Sequence, residues 1–143
     1  MTKLNPYLNF AGTCEEAFLF YQSVFGGEFT GGIFRMGDAP GTENLSTEDK
    51  NKVMHIALPI GNDLLMGSDS IPGMGPGLVM GNNNLISIFP DSREEADRLF
   101  NGLAAGGNII MPLQDQFWGD YYGNLIDKFG VAWMINYSRQ MEP

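Results

Sequence analysis

The chain carries one helix-start pattern twice, 79 positions apart. Thr13-Cys14-Glu15-Glu16-Ala17 precedes Phe20-Tyr21 and Gly26-Gly27, and Ser92-Arg93-Glu94-Glu95-Ala96 precedes Leu99-Phe100 and Gly106-Gly107. Phe10 and Phe89 stand before the two starts at the same 79-residue offset. A repeated unit of this kind sets an architecture before any single residue is weighed. Each helix start reads as a capping box, Thr13 with Glu16 and Ser92 with Glu95. Behind them run apolar stripes at helical spacing, Ala17-Phe20-Tyr21-Val24-Phe25 and Ala96-Leu99-Phe100-Leu103, and each glycine pair ends its helix.

Strands are expected around the helices. In the first half they are Leu4–Phe10, Glu28–Met36, Val53–Pro59 and Asp63–Gly67, with a short helical turn at 46–49. In the second half they are Leu85–Phe89, Asn108–Leu113, Asn124–Asp127 and Val131–Tyr137. The polar-aromatic stretch Gln114–Gly123 shows no plain period, and Trp118 next to Gly119 suits a loop folding over a cleft mouth. The expected fold is α+β: two βαβββ modules forming a curved mixed sheet, helices outside. The modules cover 1–69 and 84–143, with a linker at 70–83. One module cannot bury both its helix stripe and its sheet, so the two are expected to lie side by side, with a cleft on the inner sheet face.

Composition narrows the function classes. A 143-residue chain with 43% hydrophobic residues is long enough for a core without staples. Net charge is −9 and the eight basic residues are scattered, so no basic stripe exists to neutralise phosphates and nucleic acid is not an expected partner. No apolar run is long enough to cross a bilayer, and the N-terminus lacks a signal-peptide core, so no membrane partner is expected. A single cysteine, Cys14, permits no intrachain disulfide and fits a cytoplasmic protein. At a helix start the dipole lowers a thiol pKa, yet no histidine is nearby in sequence, and a buried, inert thiol is the expectation. Gly73-Met74-Gly75-Pro76-Gly77 lacks the Lys-Ser/Thr ending of a phosphate loop.

Several segments resemble the vicinal-oxygen-chelate superfamily of glyoxalase I, bleomycin-resistance proteins and extradiol dioxygenases. The likeness is nearest to its PhnB-like branch, labelled 3-demethylubiquinone 3-methyltransferase-like. It is carried by Asn5-Pro6-Tyr7-Leu8-Asn9-Phe10, Val24-Phe25-Gly26-Gly27, Val53-Met54-His55-Ile56-Ala57-Leu58 and Leu65-Met66-Gly67-Ser68-Asp69. Most specific are Pro112-Leu113-Gln114-Asp115-Gln116-Phe117-Trp118-Gly119 and Asp127 through Asn136. The resemblance implies paired βαβββ modules, a homodimer and a small organic ligand. No glycine-rich loop follows a strand as a Rossmann-type cofactor site needs, and no cofactor is expected.

Metal-dependent members of that family take one ligand from the first and fourth strand of each module. Strand alignment puts Asn5, Met66, Leu85 and Met134 there, none an ordinary ligand for a divalent ion. A metal-free cleft follows as the expectation. His55, the one histidine, alternates with Ala57 and Pro59, opposite Met54, Ile56 and Leu58. It reads either as an acid/base or ligand contact in the cleft or as a structural histidine. Tyr7 shares a face with Asn5 and Asn9. Gln114, Trp118 and Tyr121 are further candidates for ligand contact, with subunit contact as the rival reading. Three functions stay open: small-molecule binding, an enzyme using His55 or an unrecognised metal site, and a partner-binding dimer.

Overall fold

The computed structural model describes residues 1–73 and 75–138. Two compact units divide the chain, one spanning Met1–Val79 and a second beginning at Met80. The first contains β1 (Tyr7–Phe10), α1 (Cys14–Phe25), β2 (Phe34–Arg35), a 3-10 turn at Met36–Asp38, α2 (Thr47–Lys50), β3 (Val53–Ile60) and β4 (Asp63–Asp69). The second contains β5 (Ile86–Ile88), α3 (Arg93–Ala104), β6 (Asn108–Asp115), β7 (Asp120–Ile126) and β8 (Ala132–Ser138). Each unit makes its own four-stranded sheet, ordered β1-β4-β3-β2 and β5-β8-β7-β6. The β1–β4 and β5–β8 pairs are parallel and the rest antiparallel, giving two mixed βαβββ modules of an α+β fold.

In the first unit α1 buries Cys14, Ala17, Phe18, Tyr21 and Val24. The stripe is therefore rotated from the expected one, and Phe18 takes the place assigned to Phe20. Its room comes from β4: a Cβ at Gly67 would lie 2.7 Å from the Phe18 ring and 2.9 Å from the Leu8 carbonyl oxygen. Phe18 also packs edge-on to Phe10 and Tyr21, with ring centres 6.3 and 5.5 Å away.

The expected Thr13 capping box does not form. Thr13 sits at ψ 13° and its side chain makes no capping bond. An N-cap needs extended backbone to aim its oxygen back at the first turn. Asp69, at the end of β4, does the work instead. Its Oδ1 accepts from the amides of Gly12 and Cys14, both at 3.0 Å, and its Oδ2 accepts from that of Val53 at 2.9 Å.

Two strands are shorter than expected. The first starts at Tyr7, not Leu4, because Pro6 has no N–H to extend the ladder. The second is only Phe34–Arg35, since Gly31 and Gly32 at φ 72° and 79° break the run before it. Ser46 caps α2 by accepting from the Asp49 amide at 3.1 Å.

In the second unit the expected stripe is the buried one: Ala96, Leu99, Phe100 and Leu103. Ser92 is extended at φ −152° and ψ 165°, and its hydroxyl accepts from the Glu95 amide at 3.1 Å. Within Gln114–Gly123 the expected loop at Trp118-Gly119 is present, and strands flank it on both sides. β6 runs through Asp115 and β7 begins at Asp120, so only 116–119 turns, with Gly119 at φ 104°. Aromatics on both faces of β7, Tyr121 and Tyr122, hid its period of two. Buried Asp127 closes the β7–β8 turn, accepting from the amides of Phe129 and Val131. Its second oxygen takes the indole N–H of fully buried Trp133 at 2.8 Å. Among the described residues no helix is long and apolar enough to cross a membrane.

Candidate functional site

Each long helix covers one face of its sheet, and side chains of alternate residues stand on the other. In the first unit Ile56, Leu58 and Leu65 are buried on the α1 side. Register pairs Tyr7 with Met66 and Met66 with Ala57, which puts Tyr7, His55, Ala57 and Met66 on the helix-free face. Phe34 pairs with His55 from β2 and joins them.

On that face Tyr7 and His55 form a stacked pair, ring centres 5.7 Å apart and planes 25° apart. The Tyr7 hydroxyl lies 3.1 Å from His55 Nδ1. Phe34 flanks the imidazole with its ring centre at 6.4 Å. Tyr7 and Phe34 are each 44% exposed, which is high for large rings placed this close together. The pair has two chemical states. When the phenol donates, Nε2 keeps the ring proton and presents a donor. When Nδ1 donates, Nε2 is bare and can accept a proton. Asn5 lies outside this group: its Oδ1 accepts from the Leu64 amide at 3.1 Å and tethers the chain ahead of β1. Asn9 accepts from Ser68 at 3.2 Å.

In the second unit the helix-free face carries Gln114, Tyr122, Asn124, Met134 and Asn136, since register pairs Gln114 with Tyr122, Tyr122 with Asn136, and Asn124 with Met134. The amide of Asn124 donates to the Tyr122 hydroxyl at 3.0 Å. Trp118, in the β6–β7 turn, meets Tyr122 edge-on with ring centres 6.1 Å apart. Tyr121 points the other way. Its hydroxyl donates to Asp97 on α3, and Arg93 lies 4.4 Å over its ring. The Asp97 hydrogen bond, reinforced by burial, pushes that phenol up to about 12. Tyr121 thus fastens the hairpin to α3 and does not share a face with Gln114 or Met134.

The four positions that the resemblance assigns to a metal do not carry ordinary ligands for one. Asn5 spends its oxygen on the Leu64 amide, Met66 and Met134 offer thioethers, and Leu85 offers nothing. Among the described residues no three His, Cys, Asp or Glu side chains are grouped as a metal needs. The buried carboxylates Asp69 and Asp127 are occupied by N–H donors. Cys14 is fully buried, and burial first, then the charges of Asp69 and Glu15, push its thiol well up. A protonated thiol of this kind is a core residue, not a nucleophile. A depression of about 200 Å³ opens at the start of α1, lined by Glu15, Glu48, Asn51 and Lys52 among others, and neither His55 nor Tyr7 borders it.

This repeat of βαβββ modules is shared with known proteins. The chain belongs to the Glyoxalase/Bleomycin resistance protein/Dioxygenase superfamily, which matches residues 3–135. It is 35% identical to Protein YjdN of Escherichia coli K12 over 147 aligned positions, covering 96% of each chain. Among solved structures it is similar to protein PA1353 from Pseudomonas aeruginosa, with 40% identity, a TM-score of 0.82, and coverage of 96% of this chain and 98% of that one. A putative 3-demethylubiquinone-9 3-methyltransferase, PhnB protein, from Bacillus cereus matches at 27% identity and a TM-score of 0.76, over 96% of this chain and all (100%) of that one.

Proposed function

We propose that this chain is a PhnB-like member of the superfamily that binds a small organic ligand without a metal or other cofactor. The supporting observation is the Tyr7–His55–Phe34 group on the helix-free face of the first sheet, with two rings 44% exposed around a hydrogen-bonded imidazole. Half-exposed rings give a ligand apolar area, and the imidazole Nε2 gives it one directional bond. Met66 extends that surface. Gln114, Trp118 and Met134 serve the same role on the second sheet. Asn5 contributes by holding the chain ahead of β1. The chain acts in the cytoplasm as a homodimer, for which exposed Ile109, Ile110 and Met111 along β6 supply apolar contact area.

The test is a thermal-shift screen of small organic compounds on wild type and His55→Ala. A ligand that binds the native state alone raises the melting temperature. Some hits on wild type should lose their shift in His55→Ala; if every shift persists, this face has no role. One stoichiometric Ni, Zn, Fe or Mn per purified subunit would overturn the metal-free reading, and a micromolar monomer by light scattering would overturn the dimer. The Tyr7–His55 bond also favours a second reading, acid/base catalysis by His55 in a lyase, isomerase or transferase. Turnover of a screen hit that is lost in His55→Ala would select it.

A further inference from the structure

We infer that the second sheet recognises a planar aromatic ligand, uncharged or cationic, through an N–H or O–H donor received by the side-chain oxygen of Asn136. This rests on the small-ligand reading above and names the chemistry of one part of the ligand. Asn136 lies on β8 opposite Tyr122, whose other neighbour across the sheet is Gln114. Its Oδ1 has less than 1 Å² exposed to solvent and no hydrogen-bond partner among the described residues. The contrast with the two buried carboxylates is sharp: Asp69 and Asp127 each accept three donors. A sealed, unpaired amide oxygen is unfavourable, and folds retain few of them. What it lacks is a donor, so the missing partner must carry one.

The surroundings say what else that partner is. Trp118 and Tyr122 stand edge-to-face at 6.1 Å and offer ring surfaces beside the oxygen's strand position. The Tyr122 hydroxyl already takes the Asn124 amide, so it does not serve Asn136. Asp120 pairs with Ser138 on the same face, which, with a net charge of −9, disfavours an anion. Rotation about the Asn136 Cβ–Cγ bond re-aims the oxygen without backbone change, because that torsion is broad.

Indole and benzofuran separate the idea from its rivals. They share shape, but only indole has a ring N–H. Titration calorimetry and melting curves are measured on wild type, Asn136→Leu and Asn136→Asp. Wild type should bind indole roughly tenfold more tightly than benzofuran, the worth of one hydrogen bond to a buried acceptor. Asn136→Asp keeps an acceptor and should keep the preference. Asn136→Leu should lose the preference and, without ligand, melt a few degrees higher than wild type. The proposal is overturned if Asn136→Leu melts lower or fails to fold, since the oxygen is then satisfied inside the protein, for instance by a trapped water. Equal or tighter binding of benzofuran, or no binding of either compound, also overturns it. Should His55-dependent hits persist in the compound screen, the small-ligand reading survives that failure; if no compound shifts the melting point, both fall.

Discussion

Helices α1 and α3 start at equivalent places in the two modules, yet their first amides are satisfied differently. At α1 the acceptor is Asp69, which reaches Cys14 across 55 positions and also holds Gly12 and Val53. At α3 it is Ser92, which reaches Glu95 three residues on. The orphan N–H groups of a helix start are met at its first residue by a buried carboxylate from the last strand in one module, and at its third residue by a local hydroxyl in the other. The first device joins α1, β3 and β4 at one point. The second is local to α3, which is fastened to its sheet by its stripe and by the Tyr121 contacts with Asp97 and Arg93. The buried carboxylate has a counterpart in the second module, Asp127, but there it closes a turn and fixes Trp133.

Four substitutions probe the two helix starts. Asp69→Ala strands three N–H groups, two of them in buried bonds, and should cost roughly 3 to 5 kcal/mol in chemical denaturation. A loss below about 1 kcal/mol would reduce Asp69 to an ordinary cap. Ser92→Ala should cost about 1 kcal/mol, whereas Thr13→Ala should cost no more than a few tenths, because its hydroxyl caps nothing. Equal losses at the two positions would erase the difference between the modules. A surface contact gives another small effect: Glu15 accepts from two guanidinium nitrogens of Arg35, at 2.8 and 3.0 Å, on a partly exposed surface. Glu15→Gln should cost under about 1 kcal/mol at neutral pH, after discounting for solvent screening. The Arg35 hydrogen bond lowers the Glu15 pKa from its ordinary 4.5, so the contribution is present above that value and fades as pH falls through the lowered one. Denaturation of wild type and variant should therefore converge in acid; a gap that widens there would refute the sign.

Local patterns carried much of this fold. The α3 stripe, the Ser92 cap and the outward alternation of His55 were all legible, because each depends on neighbours within one turn or one strand. The α1 start was not: Thr13-Glu16 matches the capping-box pattern, but the backbone at Thr13 follows Asp69, 56 positions away in the chain. Phe18 was missed for a related reason, since its pocket exists only where Gly67 crosses the helix. Of the candidate site, His55 and Tyr7 were visible and their bond was not. Phe34 lies in the expected strand Glu28–Met36, but only the register with β3 shows that it stands beside His55. Tyr121 was grouped with Gln114 and Met134 by sequence proximity, although adjacent strand residues face opposite ways. Asn136 gave no signal at all, as an unpaired oxygen is a property of surroundings and not of spacing.

The span of the Asp69 contacts has a consequence for the order of assembly. Ser92 and Glu95 can meet as soon as a single turn forms, whatever the rest of the chain is doing. Cys14 and Asp69 meet only after a loop of 55 residues has closed, and closure of a long loop precedes any reward from the contacts it makes. The second module can thus nucleate its helix from its own N-terminus, while the first must gather its last strand before its first helix is complete.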